Sequence, residues 1–215
     1  MMLKYKIIFF DMDGTLIKCK SSWELIHKKF GTTEEAKKAL EDYRQGRISY
    51  KEFMIRDISS WMRKKERIHI KEIEEILSNF ELVDGAKEVA RELKRMGLKI
   101  VIITAGIDIL AEKVGREVYA DKVFSNKLKI DGEGYLVGEG IEVVEPRRKD
   151  KIIETVSKEE NVPLNETVAV GDTVYDLNML KKAGLGLYFG DKNEIVDTRI
   201  RKIHSLYEII DYVRG

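Results

Sequence analysis

Two aspartates, Asp11 and Asp13, lie one residue apart directly after a run of large apolar residues, and Gly14 and Thr15 follow them. At a separation of ~4 Å and an effective dielectric constant of ~20, two carboxylates repel each other by ~4 kcal/mol, so a cation or a reaction must account for the pair. One carboxylate can act as a nucleophile that forms an aspartyl phosphate. The other can protonate the leaving oxygen and later activate water. An isolated pair of this kind more often forms a turn or caps a helix, so the interpretation depends on the rest of the chain.

A second pair of aspartates, Asp172 and Asp176, follows another apolar run in the segment VAVGDTVYDLNML. Carboxylates that are not accompanied by thiolates or paired histidines select a hard cation such as Mg²⁺. The cation would offset the repulsion between the carboxylates and would also neutralise a phosphoryl group. The two pairs together predict a site for Mg²⁺ and a phosphorylated substrate.

Groups that could bind a phosphate follow a third apolar run, in KIVIITAG. Thr104 offers a hydroxyl there, and Ala105 and Gly106 offer backbone N–H groups at the start of a helix, although an ordinary strand-to-helix turn explains these residues equally well. A phosphate also requires positive charge, and the segment EPRRKDK contains four candidates, Arg147, Arg148, Lys149 and Lys151. The local sequence does not choose among these four.

The elements that must position these residues are strands and helices in alternation. Continuous apolar runs at 7–10, 100–103 and 167–170, with a shorter one at 184–190, are typical of strands buried on both faces of a parallel sheet. Helical patterns cover 84–96, 107–119 and 149–160. This alternation predicts an α/β fold with a doubly wound parallel sheet, whose ligands bind beyond the carboxyl ends of the strands.

Residues 17–81, called the insert below, interrupt this alternation. Three N-terminal capping boxes begin at Ser21, Thr32 and Ser49, and Gly31 and Gly46 stand where helices would end. We therefore predict an insert of about four helices placed over the strand ends, which makes residues 17–81 a helical cap domain and residues 1–16 and 82–215 the core domain. Residues 123–144, with DGEG at their centre, predict a β-hairpin flap.

The ordered set of motifs resembles the haloacid dehalogenase (HAD) superfamily of phosphatases, over nearly the whole chain. The resemblance implies a Rossmann-like core with a cap inserted after the first motif. It implies that Asp11 is the nucleophile, and that Asp13 is the general acid and base and also a metal ligand through its backbone carbonyl. It further implies roles for five other residues: phosphate binding by Thr104 and Lys149, Mg²⁺ binding by Asp172 together with Asp11, and supporting roles for Thr15 and Asp176. Lys149 is preferred for its position at a helix start, and Lys151 is the alternative.

Within the superfamily, the helical insert and the flap most resemble phosphoserine phosphatase-like members. That group binds the ammonium of serine with a glutamate after the first motif and the carboxylate with an arginine in the cap. Here the loop after the first motif is IKCKSS, which has no acid before Glu24, and Arg56 is followed by Asp57, either of which could face the site. The sequence thus leaves phosphoserine possible but disfavours it. The candidate substrate-binding residues are Lys20, Trp23, Tyr50 and Arg56.

The sequence has 215 residues, and its 39 basic and 38 acidic residues give a net charge of +1. This balance predicts neither a nucleic-acid nor a membrane partner. The single cysteine and the lack of a recognisable secretion signal favour a cytoplasmic protein. We expect it to be a monomer or a homodimer. The leading prediction is a Mg²⁺-dependent phosphomonoesterase acting on a small phosphorylated metabolite. The alternatives are a phosphomutase or phosphotransferase of the same superfamily, or a receiver-like phospho-aspartate signalling domain. We interpret the three histidines as surface residues without a catalytic role.

Overall fold

The apolar runs form the strands of one sheet in the computed structural model, which describes residues 4–190 and 197–215. Within these residues the sheet has seven strands in the order β4-β3-β2-β1-β5-β6-β7. All neighbouring strands are parallel except β3 and β4. The strands are β1 (Ile7–Phe10), β2 (Lys99–Ile107), β3 (Lys122–Ile130), β4 (Leu136–Ile141), β5 (Thr167–Gly171), β6 (Leu185–Phe189) and β7 (Ile200–Ile203).

Strand β1 lies at the centre of the sheet and pairs with β2 on one side and β5 on the other. Successive side chains of a strand point to opposite faces. Ile8 and Phe10 accordingly join one apolar cluster, whereas Ile7 and Phe9 join a second one. The strand order reverses at β1, because β2 lies on one side of it and β5 on the other. The end of β1 is therefore the topological switch point, where ligands bind in such folds. The predicted doubly wound α/β sheet is confirmed.

Helices cover the sheet and fill the interval between β1 and β2. The described residues form helices α1 (Ser22–Phe30), α2 (Thr33–Arg44), α3 (Tyr50–Lys64), α4 (Ile70–Ile76), α5 (Ala86–Arg95), α6 (Asp108–Glu117), α7 (Lys149–Glu159), α8 (Leu177–Lys182) and α9 (Glu208–Arg214). None of them is long and apolar enough to cross a membrane. The insert contributes the first four helices, as its sequence predicts. The division into a core domain and a cap domain at these boundaries stays a prediction.

The helix starts in the insert differ in detail from the predicted capping boxes. Ser21 and Ser49 each accept a hydrogen bond from the backbone N–H three residues later. Thr32 stands at the N-cap of α2 but makes no side-chain capping bond. Its hydroxyl lies 2.7 Å from the Nδ1 atom of His27 instead, so a tertiary contact has replaced the local one. A complete capping box forms at the start of α4, where His69 takes the place of the usual serine or threonine.

Strands β3 and β4 form the predicted hairpin and continue the sheet towards the insert. The first half of β3 pairs in parallel with β2, and its second half pairs antiparallel with β4. The turn between them meets the start of α4, where the Ile70 N–H donates to the Gly134 carbonyl over 2.9 Å. The Leu136 N–H likewise donates to the Ile68 carbonyl over 2.9 Å. The hairpin thus ties the sheet edge to the insert.

Candidate active site

Asp11 and Lys149 form a buried ion pair at the end of β1. Asp11 follows β1 directly and is 5% exposed, and Lys149, the first residue of α7, is 3% exposed. The Lys149 Nζ donates to Asp11 over 2.7 Å and to Asp176 over 2.6 Å. Lys151, the alternative, lies on the surface and pairs with Glu154 at 3.0 Å. The structure therefore brings Lys149 to the aspartates and leaves Lys151 outside.

Burial and neighbouring charges act on the pKa values of this pair. Burial raises the pKa of Asp11 well above its usual value, and the charge of Asp176 raises it further. Burial works to lower the pKa of Lys149, but the charges of Asp11 and Asp176 outweigh it and raise that pKa. The lysine is therefore held as an ammonium next to the carboxylate that the sequence predicts to be the nucleophile.

Asp172 follows β5 and faces the loop after β1. One carboxylate oxygen, Oδ1, accepts a hydrogen bond from the Thr15 hydroxyl over 3.1 Å, and the other, Oδ2, accepts one from Lys20 Nζ over 2.9 Å. Gly14 lies between them with φ of 84°, and a Cβ atom there would lie 2.4 Å from Asp172 Oδ2. The close approach of the two loops therefore requires glycine at this position.

The carboxylates at the strand ends suit a divalent cation. Asp11, Asp172 and Asp176 are all buried, and each offers an oxygen within 4.8 Å of those of the other two. An all-oxygen set of this kind fits Mg²⁺. Asp176 is the most fully engaged of the three, because it accepts four hydrogen bonds, from Lys149, from the backbone N–H groups of Asp172 and Thr173, and from the Thr173 hydroxyl. Asp11 and Asp172 are therefore the better candidates for direct ligands, and Asp176 supports the lysine and the loop.

Asp13 has a different environment from that of Asp11. Its Oδ2 accepts hydrogen bonds of 3.1 Å from both the backbone N–H and the hydroxyl of Ser22. Its Oδ1 is buried and has no partner among the residues that the structure describes. Burial raises the pKa of Asp13 from 3.8 to about 6, although the hydrogen bonds from Ser22 oppose this shift. A carboxyl group in this state can donate and accept a proton near neutral pH.

Thr104, Ala105 and Gly106 lie inside β2 near its end rather than at a helix start, because α6 begins only at Asp108. The Gly106 N–H donates to the Thr104 hydroxyl over 2.9 Å. The Ala105 carbonyl accepts hydrogen bonds from the insert, from Trp23 Nε1 and from the Tyr50 hydroxyl, each over 3.0 Å. Two predicted substrate-binding residues therefore fasten the insert to the predicted phosphate loop.

A cavity of about 500 Å³ lies between these strand ends and the insert. Its floor includes Asp11, Asp13, Thr104 and Lys149, and its walls combine aromatic side chains with charged ones such as Lys37 and Arg44. Lys20, Trp23 and Tyr50, three of the four candidate substrate-binding residues, also line it. A cavity of this size above a reactive floor is typical of a small-molecule site.

Comparisons with known proteins identify the family of the chain. The model of the haloacid dehalogenase-like hydrolase family matches residues 5–184. The chain belongs to the haloacid dehalogenase-like hydrolase family. The phosphoserine phosphatase of Methanocaldococcus jannaschii is 32% identical over 216 residues, which are 98% of this chain and 99% of that protein. The phosphoserine phosphatase of Archaeoglobus fulgidus is 31% identical over 194 residues, which are 89% of this chain and 54% of that protein.

Solved structures of this family include close matches to the fold. One is described as a phospho-aspartyl intermediate analogue of phosphoserine phosphatase. It has a TM-score of 0.80 and 29% identity, with 97% of this chain and 99% of that chain covered. The predicted HAD superfamily membership and the predicted hydrolase are confirmed, and relatives named for phosphatase activity support the phosphoric monoester hydrolase that the sequence predicts.

Two substrate-side positions in this HAD hydrolase differ from the sequence prediction. Arg56 points away from the cavity, because its guanidinium pairs with Asp42 at 2.7 Å and with Glu52 at 3.0 Å. The next residue along α3, Asp57, lines the cavity together with His27. The interpretation of His27 as a surface residue is wrong, because its side chain is 1% exposed and lies 3.2 Å from Asp57. Its position on the same helix face as Trp23 and Ile26, which are also buried, could have revealed this.

Two further residues of the site were not predicted. Ser22 holds Asp13 and also accepts a hydrogen bond from the Ile107 N–H over 3.2 Å, so it joins the loop after β1 to the end of β2. Asn126 is fully buried, and its amide donates to the carbonyls of Ala105 and Val144. A lone amide within the strand sequence KVFSNKLKI was the available signal for Asn126. The sequence offered no distinguishing signal for Ser22.

Proposed function

We propose that this HAD hydrolase is a Mg²⁺-dependent phosphomonoesterase that acts on a small phosphorylated metabolite through an aspartyl-phosphate intermediate. The observation that carries the proposal is the pairing of Asp11 with the Lys149 ammonium at the end of the central strand, with Asp13 two residues away. The acidic set around Asp172 supports a Mg²⁺ ion at the same point. The relatives named phosphoserine phosphatase support the reaction class.

In the first step, a carboxylate oxygen of Asp11 attacks the phosphorus atom and the ester oxygen leaves. Lys149 orients Asp11 and places positive charge where the phosphoryl oxygens accumulate negative charge. Asp13 gives its proton to the leaving oxygen, a role suited to a carboxyl group whose pKa burial raises to about 6. Thr104, on the cavity floor, would donate its hydroxyl to a phosphoryl oxygen. A bound Mg²⁺ ion would neutralise phosphoryl oxygens, with Asp11, Asp172 and the Asp13 carbonyl as its proposed ligands.

In the second step, Asp13, now a carboxylate, takes a proton from a water molecule as that water attacks the phosphorus atom. The bond from phosphorus to Asp11 breaks, and inorganic phosphate and the free carboxylate are released. Ser22 keeps Asp13 in place in both steps through its two hydrogen bonds. The phosphotransferase alternative differs only in the acceptor, a hydroxyl group in place of water, and stays a prediction.

The decisive experiment replaces Asp11 with asparagine, which has nearly the same shape but a much weaker nucleophile. We expect Asp11→Asn to abolish phosphate release from a panel of phosphorylated metabolites that includes phosphoserine, assayed with Mg²⁺. The exposed Asp211→Asn, at the opposite end of the chain, is the matched control and should keep wild-type rates. Full activity in Asp11→Asn would refute the aspartyl-phosphate mechanism.

A further inference from the structure

Asp57 is a buried carboxylate in the cavity wall that the proposed mechanism does not use. It is 1% exposed, and its Oδ1 has no hydrogen-bond partner within 4–190 and 197–215. Its Oδ2 lies 3.2 Å from the Nε2 atom of His27, in a geometry that falls short of a directed hydrogen bond. Across the same described ranges, no lysine or arginine nitrogen lies within 4.0 Å of it. Asp57 therefore has hydrogen-bonding capacity that the described protein leaves unused.

His27 does not supply the missing positive charge. The indole N–H of Trp61 donates to His27 Nδ1 over 3.1 Å, and an indole N–H can only donate. The Thr32 hydroxyl lies 2.7 Å from the same Nδ1 atom and can donate to it as well. With Nδ1 accepting from Trp61, the ring proton lies on Nε2, which faces Asp57. The pair formed by His27 and Asp57 thus has a net negative charge whenever Asp57 is ionised.

An ionised carboxylate that is buried without a cation is costly, because it loses its hydration and gains no ion pair. Burial accordingly raises the pKa of Asp57, and His27 only partly opposes this shift. A ligand that offers only a hydroxyl would leave the negative charge in place. A ligand that carries an ammonium group next to Asp57 would neutralise that charge.

The walls around Asp57 suit a cation as well. Aromatic rings of Trp23, Tyr43, Tyr50 and Phe53 line the same cavity. Their packing is close, with the Tyr50 and Phe53 ring centroids 5.6 Å apart and those of Tyr43 and Tyr50 5.4 Å apart. Aromatic faces attract organic cations, and more strongly where water is excluded.

We propose that Asp57, which lies next to His27 and lines the same cavity as the aromatic side chains, binds an ammonium group of the substrate, so that the preferred substrates are phosphomonoesters of amino alcohols. This inference rests on the proposed function for the phosphate end, which lies on the cavity floor at Asp11. It assigns the recognition of the amine to a carboxylate on α3, whereas the phosphoserine phosphatase resemblance places an ammonium-binding glutamate in the loop after the first motif. Lys20 stands in that loop and has the opposite charge.

The test compares four phosphomonoesters of similar size. Phosphoethanolamine carries an amine, phosphoserine an amine and a carboxylate, phosphoglycolate a carboxylate, and glycerol phosphate neither. We expect wild-type kcat/KM to be highest for the two amines. In Asp57→Asn, which keeps the shape and removes the charge, kcat/KM for phosphoethanolamine should fall by about tenfold or more relative to that for glycerol phosphate, mainly through KM. Glu52→Gln, on the same helix outside the cavity, is the matched control and should keep the wild-type ratio.

Binding measurements separate the inference from the proposed function. Calorimetric titration of phosphoethanolamine into Asp11→Asn should show binding that Asp11→Asn/Asp57→Asn lacks, whether or not the wild type releases phosphate. Equal loss of all four substrates in Asp57→Asn, or equal binding by the single and double variants, would overturn the inference and leave the phosphatase proposal intact. Thermal unfolding shows whether Asp57→Asn is folded. If Asp57→Asn is not folded, the more conservative Asp57→Glu takes its place in the test. The inference then requires Asp57→Glu to change the preference for amines, and an unchanged preference counts against it.

Discussion

At the scale of single residues, Asp11 and Asp13 show how the surroundings give two identical side chains different tasks. Asp11 contacts the Lys149 ammonium at 2.7 Å, so its carboxylate is held next to positive charge and can act as a nucleophile. Asp13 contacts Ser22 instead, and burial raises its pKa to about 6, which suits proton transfer. Because burial raises the pKa of both carboxyls, their partners, an ammonium for Asp11 and the Ser22 donors for Asp13, are what divide the nucleophile and acid roles.

The raised pKa of Asp13 predicts a cost in stability that depends on pH. The carboxyl titrates near 3.8 in the unfolded chain and at about 6 in the folded protein. Below the pKa of the unfolded chain, Asp13 therefore costs no stability. As the pH rises through about 6, the free energy of unfolding falls, by up to ~3 kcal/mol for a shift of ~2 pKa units. Asp13→Asn removes this cost, so we expect it to be more stable than wild type at pH 7.5, by a margin that shrinks towards pH 4.

Denaturant unfolding in the absence of metal measures this difference. Asp211→Asn, an exposed aspartate far along the chain, is the control and should show no such trend. If Asp13→Asn is no more stable than wild type at pH 7.5, the environment that we assign to the general acid is incorrect.

Lys20 provides a second prediction at this scale, because its ammonium contacts the Asp172 carboxylate at 2.9 Å while its side chain stays 70% exposed. A Mg²⁺ ion that binds Asp172 must compete with this lysine. Lys20→Ala should therefore bind Mg²⁺ more tightly, by up to about fivefold, because an exposed ion pair contributes ~0.2–1 kcal/mol. Calorimetric titration of Mg²⁺ into the metal-free protein tests it. Lys18→Ala is the matched control, because Lys18 pairs with Glu81 and Asp84 instead, and equal affinities in all three proteins would argue against the competition.

At the scale of elements, the sequence predicted the strands and the residues at their ends far better than it predicted the cavity wall. An apolar run that is buried on both faces is compatible with little besides a strand in the core. The positions of Asp11 and Asp172, at the ends of such strands, therefore follow from the sequence. The wall depends on how α1 and α3 pack against each other, and one residue of helical rotation decides whether Arg56 or Asp57 faces inward. Thr32 was misjudged for a similar reason, because its partner His27 is contributed by another helix.

At the scale of elements, Asn126 is the residue whose replacement should lower the stability of the fold most. Its side chain accepts hydrogen bonds from the N–H groups of Val143 and Val144, each over 2.8 Å, and donates to the Ala105 carbonyl over 3.1 Å. Asn126→Ala would leave the Val143 and Val144 N–H groups without this partner, so we expect a loss of about 2–4 kcal/mol in the free energy of unfolding. Denaturant titration measures it, with the exposed Ser78→Ala as a control. A loss below that of the control would show that the hairpin does not depend on this amide.

At the scale of the whole molecule, the site joins segments that are far apart in the sequence. Residues after β1, after β5 and at the start of α7 meet at one point, and the insert encloses the space above it. In a structure of this kind, an ion bound at the meeting point holds together elements that separate on unfolding. Metal binding should thus be visible in the stability of the entire chain as well as in its activity.

We therefore expect Mg²⁺ to raise the unfolding temperature of the wild type. A ligand that binds only the folded state at 100 times its Kd adds ~2.7 kcal/mol, and a chain of this size gains ~2–4 °C per kcal/mol. The expected shift is about 5–10 °C between EDTA and saturating Mg²⁺. Asp172→Asn removes a proposed ligand and should lose most of the shift, whereas Asp131→Asn, in the hairpin turn, should keep it. A wild type whose unfolding temperature is the same with EDTA and with Mg²⁺ would contradict a Mg²⁺ site formed by these carboxylates, because binding to the folded state alone must stabilise it.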